Sequence, residues 1–225
     1  MQESAPEALD KRHGQLANAL AEPGYAVVPD YLSADLALRI AAEAQGLWRA
    51  GAFHAAGVGS GNQPKLRPDI RGDEVYWLDP AMPAPSAAQA IARLRSLQTD
   101  LNEKLFAGLE DLEVHFARYP RGGFYGRHID QFEDTNRRAF SVVLYLNHQW
   151  KTQDGGQLRL WTTPAPGRTP PTAKSPYLEV WPQAGTLVIF RSADFWHEVR
   201  RARRPRLSLT GWFLRRADNP LLDLL

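Results

Sequence analysis

Cysteine is absent from all 225 positions. Disulfides, iron–sulfur clusters, thiolate zinc sites and cysteine nucleophiles are thereby excluded, and any metal must be held by His, Asp or Glu. Long apolar runs are also missing. No run approaches the roughly 20 residues that span a bilayer, and the opening MQESAPEALDKRHGQL is polar where a signal peptide needs an apolar stretch. The expectation is a soluble, cytoplasmic protein with no membrane partner. An excess of charge of one sign is missing as well, the formal net charge being +2. One basic cluster, Arg200, Arg201, Arg203, Arg204 and Arg206, has a composition that contacts phosphates. It reads instead as a solvated strand edge. Aromatic and basic residues are sparsely interleaved, so nucleic acid is not an expected partner.

What is present is a core. Hydrophobic residues make up 44% and aromatics 10% of the chain, enough for one sizeable domain, and neither a repeat nor a linker interrupts it. The texture changes once. Up to about residue 110 the chain is alanine-rich and helical in pattern. Ser33 is placed to cap a helix carrying Leu36, Ile40, Ala44 and Leu47 at helical spacing. A second helix is expected over 86–106, with Ile91, Leu94, Leu97, Leu101 and Leu105 on one stripe. The Gly-rich stretch 51–61 reads as a loop, and short strands are expected at 25–29 and 75–78. The first few residues carry no ordering signal, and His13, His54 and His148 read as loop or surface residues.

From about residue 112 the period becomes two. Strands are expected at 114–119, 139–146, 156–161, 178–181, 186–190, 198–200 and 206–214, separated by turns at Pro120, Asp154 and Pro182. The Pro- and Thr-rich residues 163–176 read as a loop. Many short strands with frequent turns imply a sandwich or barrel with helices on one face.

His128-Ile129-Asp130 is the first chemical signal. In an extended segment residues i and i+2 point to one side, so an imidazole and a carboxylate come together. His197, in Phe195-Trp-His-Glu-Val, supplies a second imidazole at the start of a later strand. Two imidazoles and a carboxylate occupy one face of an octahedral iron(II) and leave the other open. A His-x-Asp pair alone is more often a surface or turn pair, so weight falls on its surroundings.

The last strand places Arg206, Ser208, Thr210 and Trp212 on one face and Leu207, Leu209 and Phe213 on the other. If the apolar face meets the helices, Arg206 points inward, which is costly unless an anion meets it. A planar guanidinium suits a dicarboxylate. Periodicity leaves the opposite arrangement, Arg206 in water, equally open. Tyr145 shares a strand side with Ser141 and Val143, where its hydroxyl could join Arg206 or simply be a core tyrosine.

Taken together, these residues resemble the prolyl-4-hydroxylase-like 2-oxoglutarate oxygenases, in the branch of the hypoxia-inducible-factor prolyl hydroxylases and their bacterial relatives. The resemblance runs over about residues 23–216. It is densest in Tyr119-Pro, Tyr125-Gly-Arg-His-Ile-Asp, Val143-Leu-Tyr-Leu-Asn, Gly155-Gly-Gln-Leu-Arg, His197-Glu-Val and residues 206–212, with a further match in Ile70-Arg-Gly-Asp-Glu-Val-Tyr-Trp. It implies a double-stranded β-helix (a cupin-like jelly roll), mainly β, with N-terminal helices packed on one face. The whole of 1–225 then forms one oxygenase domain: 1–110 helical support and substrate loop, 111–216 the β-helix core, 217–225 a C-terminal tail.

The same resemblance implies Fe(II) on His128, Asp130 and His197. It implies 2-oxoglutarate held at its distal carboxylate by Arg206, with Tyr145 and Thr210 hydrogen-bonding it and Tyr119 and Leu158 lining its pocket. Collagen-type members carry lysine where Arg206 stands, so the arginine favours the hypoxia-sensor-like branch. Trp77, Tyr125, Arg138 and Trp212 match positions around a target proline. Arg71 and Asp73 are candidates either for a salt bridge or for contact with substrate, in a segment, 70–77, expected to be a loop closing over it. O2 is the second co-substrate and ascorbate a further candidate. His115 and Trp196 depart from the pattern: an apolar residue and a proline are familiar there.

The implied reaction is hydroxylation of a prolyl residue in a protein or peptide, with succinate and CO2 as co-products and elongation factor Tu as candidate substrate. Two other readings stay open: an oxygenase of the same kind acting on a free amino acid or other small molecule, and a non-catalytic metal-binding β-helix module. The apolar tail Leu221-Leu-Asp-Leu-Leu is a candidate for packing back on the domain or for a dimer contact.

Overall fold

The computed structural model describes residues 5–57, 65–79, 81–131, 136–165 and 168–216. Three helices and eleven strands are among them. The order is α1 (Ala5–Ala21), β1 (Tyr25–Val28), α2 (Ala34–Arg49), β2 (His54–Ala55), β3 (Glu74–Trp77), α3 (Pro85–Leu105) and β4 (Leu109–Tyr119). There follow β5 (Tyr125–His128), β6 (Arg138–Tyr145), β7 (Leu158–Trp161), β8 (Tyr177–Val180), β9 (Leu187–Arg191), β10 (His197–Val199) and β11 (Arg206–Arg215).

The strands form two sheets. The larger runs β1-β9-β6-β11-β4-β3-β2 and the smaller β5-β10-β7-β8, every pair antiparallel. This is the jelly-roll arrangement that the resemblance implied, and one form of the sandwich or barrel expected from the period-two half of the chain. The helices lie against the large sheet, and β11 shows why. Its odd-numbered side chains Leu207, Leu209 and Phe213 join α2 and α3 in one apolar core, while Tyr145, Val143, Ala117 and Tyr119 face a second core between the sheets. Burying a leucine or phenylalanine is worth roughly 1.5–3 kcal/mol. Three on one face fix the parity of the strand and turn Arg206, Ser208 and Thr210 to the inter-sheet side.

Local chemistry sets the helices. Ser33 accepts the Leu36 amide at 3.2 Å and starts α2. At the start of α3, Ala84 has no side-chain cap, but Glu43 reaches across from α2 and accepts the Ser86 and Ala87 amides at 2.7 and 3.0 Å. That carboxylate satisfies two amides the helix leaves free and locks α2 to α3. Gly211, mid-β11, permits close strand approach: a Cβ there would lie 2.1 Å from the Glu113 carbonyl oxygen.

Several expectations need correction. Within the half expected to be helical, the N-terminal segment adds a helix that was not singled out, α1, packed on α3 and burying Leu16, Ala17 and Leu20. His13 is not a surface residue: it is fully buried, its Nδ1 against Asp100 and its Nε2 3.3 Å from the Tyr31 hydroxyl. The short strand expected at 75–78 is β3, paired with β4, so the loop reading of 70–77 does not hold over 74–77, and 54–55 in the Gly-rich stretch form β2. Tyr125–His128 forms a strand, β5, that no sequence signal marked. Residues 58–61 of the Gly-rich stretch and the apolar tail lie outside the described residues.

Candidate active site and metal centre

His128 ends β5 and His197 begins β10, and the two are register partners. Asp130 follows two residues beyond His128. Ligand atoms of all three lie within 4.8 Å of one another, so the group could hold one metal ion. Both Nε2 atoms converge on Asp130 Oδ1, at 3.3 Å from His128 and 3.5 Å from His197.

The rings are held by their other nitrogens. His128 Nδ1–H donates to the Gly126 carbonyl at 2.8 Å and His197 Nδ1–H to the Phe195 carbonyl at 3.1 Å. A carbonyl can only accept, so each Nδ1 carries a proton and each Nε2 is the nitrogen turned to the centre, the one a metal would take. Packing fixes the ring planes: Tyr125 stacks on His128 at 3.6 Å between centroids, and Phe190 meets His197 edge-on at 4.7 Å. Asp130 Oδ2 accepts from the Ser141 hydroxyl at 2.6 Å, and Ser141 lies 2.9 Å from the Ser192 hydroxyl. Sequence reasoning gave Ser141 and Ser192 no role. The parity of Ser141 with Tyr145 was the only signal, since both partners are distant in sequence.

Electrostatics follow the geometry. Burial works to raise the Asp130 pKa, but the adjacent His197 and His128 override it and hold the carboxyl well below the usual range. Burial, then the neighbouring His197, lower the pKa of His128 and keep it neutral. A carboxylate and neutral imidazoles are the ligand forms a divalent metal binds.

A cavity of about 540 Å³ opens over this cluster. It is lined by Arg206, Thr210, Tyr119 and Leu158 at one end and by Trp77, Tyr125, Arg138, Trp212, Arg71 and Asp73 at the other. Tyr145 alone among the expected residues does not line it; it is wholly buried directly behind Arg206. Arg206 is 1% exposed, so of the two arrangements left open by periodicity the inward one holds. Its Nε donates to the Gly156 carbonyl at 2.9 Å, and its guanidinium lies 5.0 Å from the ring centroids of both Tyr119 and Tyr145. The Tyr145 hydroxyl feels that charge but has no hydrogen-bond partner; burial pushes its pKa up to about 12, so it stays a neutral donor. Ser208, which sequence reasoning placed on this face without a role, also lines the cavity and lies 3.1 Å from the Thr210 hydroxyl.

At the far end, Arg71 and Asp73 form the salt bridge that was one of their two expected roles, at 2.7 and 2.6 Å in two-pronged geometry. Burial works to lower the Arg71 pKa, but Asp73 outweighs it and raises it. The Arg71 guanidinium also lies 4.2 Å over the Tyr125 ring. Arg138 sits 3.5 Å over Trp212 and donates to the Asp130 carbonyl at 3.2 Å, tying this end to the metal cluster.

Residues 114–214 match the 2OG-Fe(II) oxygenase superfamily. A crystal structure of a Pseudomonas putida prolyl-4-hydroxylase superposes with a TM-score of 0.79 at 41% identity, covering 90% of this chain and 99% of that one. The chain belongs to the 2OG-Fe(II) oxygenase superfamily. Its relatives there include prolyl hydroxylases: a Caenorhabditis elegans hypoxia-inducible factor prolyl hydroxylase is 28% identical over 213 residues. That match covers 89% of this chain but only 28% of the length of the curated relative. A Trichoplax adhaerens prolyl hydroxylase in complex with a hypoxia-inducible factor peptide shares the fold, with a TM-score of 0.81 at 23% identity over 95% of this chain and 94% of that one. Membership of the superfamily brings Fe(II), 2-oxoglutarate and O2. The chain's residues fit them: a nitrogen–nitrogen–oxygen donor set suits iron(II), and a buried arginine beside an orphaned tyrosine hydroxyl suits a carboxylate. Among the described residues, no helix is long and apolar enough to cross a membrane.

Proposed function

We propose that this chain hydroxylates a prolyl residue in a protein substrate, consuming 2-oxoglutarate and O2 and releasing succinate and CO2. The observation that carries the substrate class is Trp77. It lines the mouth of the cavity 6.2 Å from Trp212, yet 46% of it remains exposed. An indole left uncovered beside a metal cluster offers a face to an apolar ring from a partner. The relatives at 41% and 28% identity, both prolyl hydroxylases, support the same reading.

In this reading His128, Asp130 and His197 would hold Fe(II), which would supply the oxidising chemistry. Arg206 and Tyr145 would take the distal carboxylate of 2-oxoglutarate, with Thr210 hydrogen-bonding it and Tyr119 and Leu158 walling its pocket. With three ligands from the chain, the remaining coordination positions would be left to the co-substrates. Ser141 holds Asp130, and the Gly126 and Phe195 carbonyls hold the two rings, so the ligand set is prearranged. Trp77, Trp212 and Tyr125 would clamp the target ring, Arg138 would position it over the cluster, and the Arg71–Asp73 pair would stiffen the wall they share. Residues 1–225 form one oxygenase domain. Ascorbate belongs to this reading as an auxiliary reductant.

Elongation factor Tu is the candidate substrate, which places the enzyme in the cytoplasm. Mass spectrometry of that factor after incubation with enzyme, Fe(II) and 2-oxoglutarate should show a gain of one oxygen on a proline; an unchanged mass counts against the candidate. The 540 Å³ cavity also suits a small molecule. Faster turnover of free proline than of any prolyl peptide would favour that second reading.

A further inference from the structure

The chemistry above uses only one arginine of the basic run Arg200–Arg206. The run is a loop joining β10 to β11, not the strand edge expected from sequence. Its five arginines have different fates. Arg206 is buried in the active site. Arg204 pairs with Asp154 at 3.1 Å and covers the Trp150 ring, and Arg200 pairs with Glu198 at 3.0 Å. Arg201 and Arg203 are exposed and, among the described residues, have no carboxylate partner. Both line a second cavity, a groove of about 930 Å³ between residues 121–126, 152–157 and 198–203. Arg121 joins them there, also exposed and also without a carboxylate among the described residues. The one acidic residue lining the groove, Glu198, is the residue already paired with Arg200.

Backbone bonds hold these cations in place. The Gly122 amide donates to the Ala202 carbonyl at 2.7 Å and the Ala202 amide to the Gly123 carbonyl at 2.9 Å. The Gly156 amide donates to the Arg201 carbonyl at 3.0 Å and the Arg203 amide to the Asp154 carbonyl at 2.7 Å. Ala202 is 1% exposed, so the anchored residue points inward while Arg201 and Arg203 on either side of it face solvent. Arg201 is fixed further: its Nη1 donates to the Gly122 carbonyl at 3.0 Å, and its guanidinium lies 4.1 Å over the Phe124 ring. A surface held this way loses little freedom when a partner arrives. Guanidinium groups without an internal counter-charge recognise carboxylates or phosphates. Single-stranded nucleic acid also needs rings to stack on. The two rings in the groove are already covered, Phe124 by Arg201 and Tyr125 by His128 at 3.6 Å and Arg71 at 4.2 Å. Carboxylates are therefore the better match, and continuity with the active site says whose. Tyr125 and Val199 line both the groove and the catalytic cavity. Arg201 is four residues from His197, at most about 14 Å of extended chain. A polypeptide with its target at the metal cluster reaches the groove with residues a few positions away.

We propose that Arg121, Arg201 and Arg203 form a docking groove for an acidic segment of the polypeptide whose target residue is placed at the metal cluster. The proposal rests on the reading of a protein substrate. It makes charge at a distance from the target, and not the target alone, a determinant of which protein is chosen.

Binding can be separated from turnover by loading the protein with Zn(II) and 2-oxoglutarate, so that it cannot oxidise. The probes are peptides of about 20 residues with a central Ala-Pro-Ala and flanks of Ser and Gly. Two of them carry Glu-Asp-Glu-Asp about five residues before or after the proline, and a third pair carries Lys at the same places. One acidic peptide should bind wild type about five- to tenfold more tightly than the neutral one, with the gain shrinking as salt is raised. The Lys peptides should bind more weakly than the neutral one. The gain should be lost in Arg121→Glu with Arg203→Glu and largely kept in Arg121→Lys with Arg203→Lys, while 2-oxoglutarate affinity stays at the wild-type value in both. Arg49→Glu with Arg216→Glu, which changes net charge equally at exposed positions outside the groove, should keep the gain. Equal binding of neutral, acidic and Lys peptides by wild type overturns the groove, even if prolyl peptides are hydroxylated. So does a gain that survives Arg121→Glu with Arg203→Glu, or one lost equally in the control pair. Tighter binding of oligouridylate than of either acidic peptide, lost in the same groove variant, overturns a polypeptide as the occupant. The expected binding changes without hydroxylation of any prolyl peptide keep the groove and overturn the prolyl reading.

Discussion

Removing the hydroxyl of Tyr145 should move two quantities in opposite directions. Tyr145 is wholly buried, and its hydroxyl has no partner although Arg206 stands beside it. An unpaired buried hydroxyl costs roughly 1–3 kcal/mol, so Tyr145→Phe should stabilise the protein lacking 2-oxoglutarate by about 1 kcal/mol. For a chain of this size that raises Tm by roughly 2–4 °C. With 2-oxoglutarate the sign reverses. A hydrogen bond to a carboxylate is worth about 1.5–3 kcal/mol, so the variant should bind the co-substrate roughly 10- to 150-fold more weakly. Burial holds the hydroxyl pKa at about 12, so the wild-type group remains a donor throughout the accessible pH range. Thermal unfolding with and without 2-oxoglutarate, together with direct titration of the co-substrate, reads both quantities. A variant less stable without ligand and unchanged in 2-oxoglutarate affinity would show that Tyr145 is only a core tyrosine and that its orphaned hydroxyl awaits nothing.

Further outcomes follow from the same geometry. Arg206→Lys keeps the charge but loses the planar fork and the bond to Gly156, so 2-oxoglutarate affinity should fall at least tenfold in a titration. Trp77→Ala removes a half-buried ring packed on His115 and Trp212, so stability should fall by roughly 1–3 kcal/mol, while KM for a protein substrate rises several-fold in steady-state kinetics with the folded variant. His115 is neutral when folded, its pKa lowered by burial to about 3, although Asp73 partly opposes the shift and Arg71 and Arg138 add to it. The unfolded imidazole takes a proton near pH 6.5, so this contribution is full above that pH and lost between about pH 6.5 and 3, at about 1.4 kcal/mol per pH unit. Denaturant titrations of wild type and His115→Phe across that window should show the variant losing less stability on acidification.

The fold was legible wherever a pattern was local. The two-residue period of β11 separated Leu207, Leu209 and Phe213 from Arg206, Ser208 and Thr210, and the helices bury the first set. What periodicity could not decide was which face met water, because that depends on where α2 and α3 lie. The missed elements share a cause. α1 is held by His13 pairing with Asp100 and Tyr31, 87 and 18 residues away, so a polar-looking segment is buried by partners that sequence spacing does not reveal. β5 is four residues long with a glycine in it, and exists because His128 pairs with His197 across the small sheet. In the site, the i, i+2 rule put His128 and Asp130 on one side. The groups that aim them are two backbone carbonyls and Ser141, contacts that no residue-type pattern encodes. His115 was visible only as a departure from the family pattern; its orphaned nitrogen needed the structure.

The most direct test is a paired measurement of succinate released and oxygen incorporated, with purified enzyme, Fe(II), 2-oxoglutarate and a proline-containing protein. The expected result is one succinate per oxygen atom added to a proline, with both signals lost in His197→Ala, which removes one of the three convergent ligands. Equal succinate release from His197→Ala and wild type would contradict the metal centre, and succinate release without oxygen on any proline would contradict the substrate.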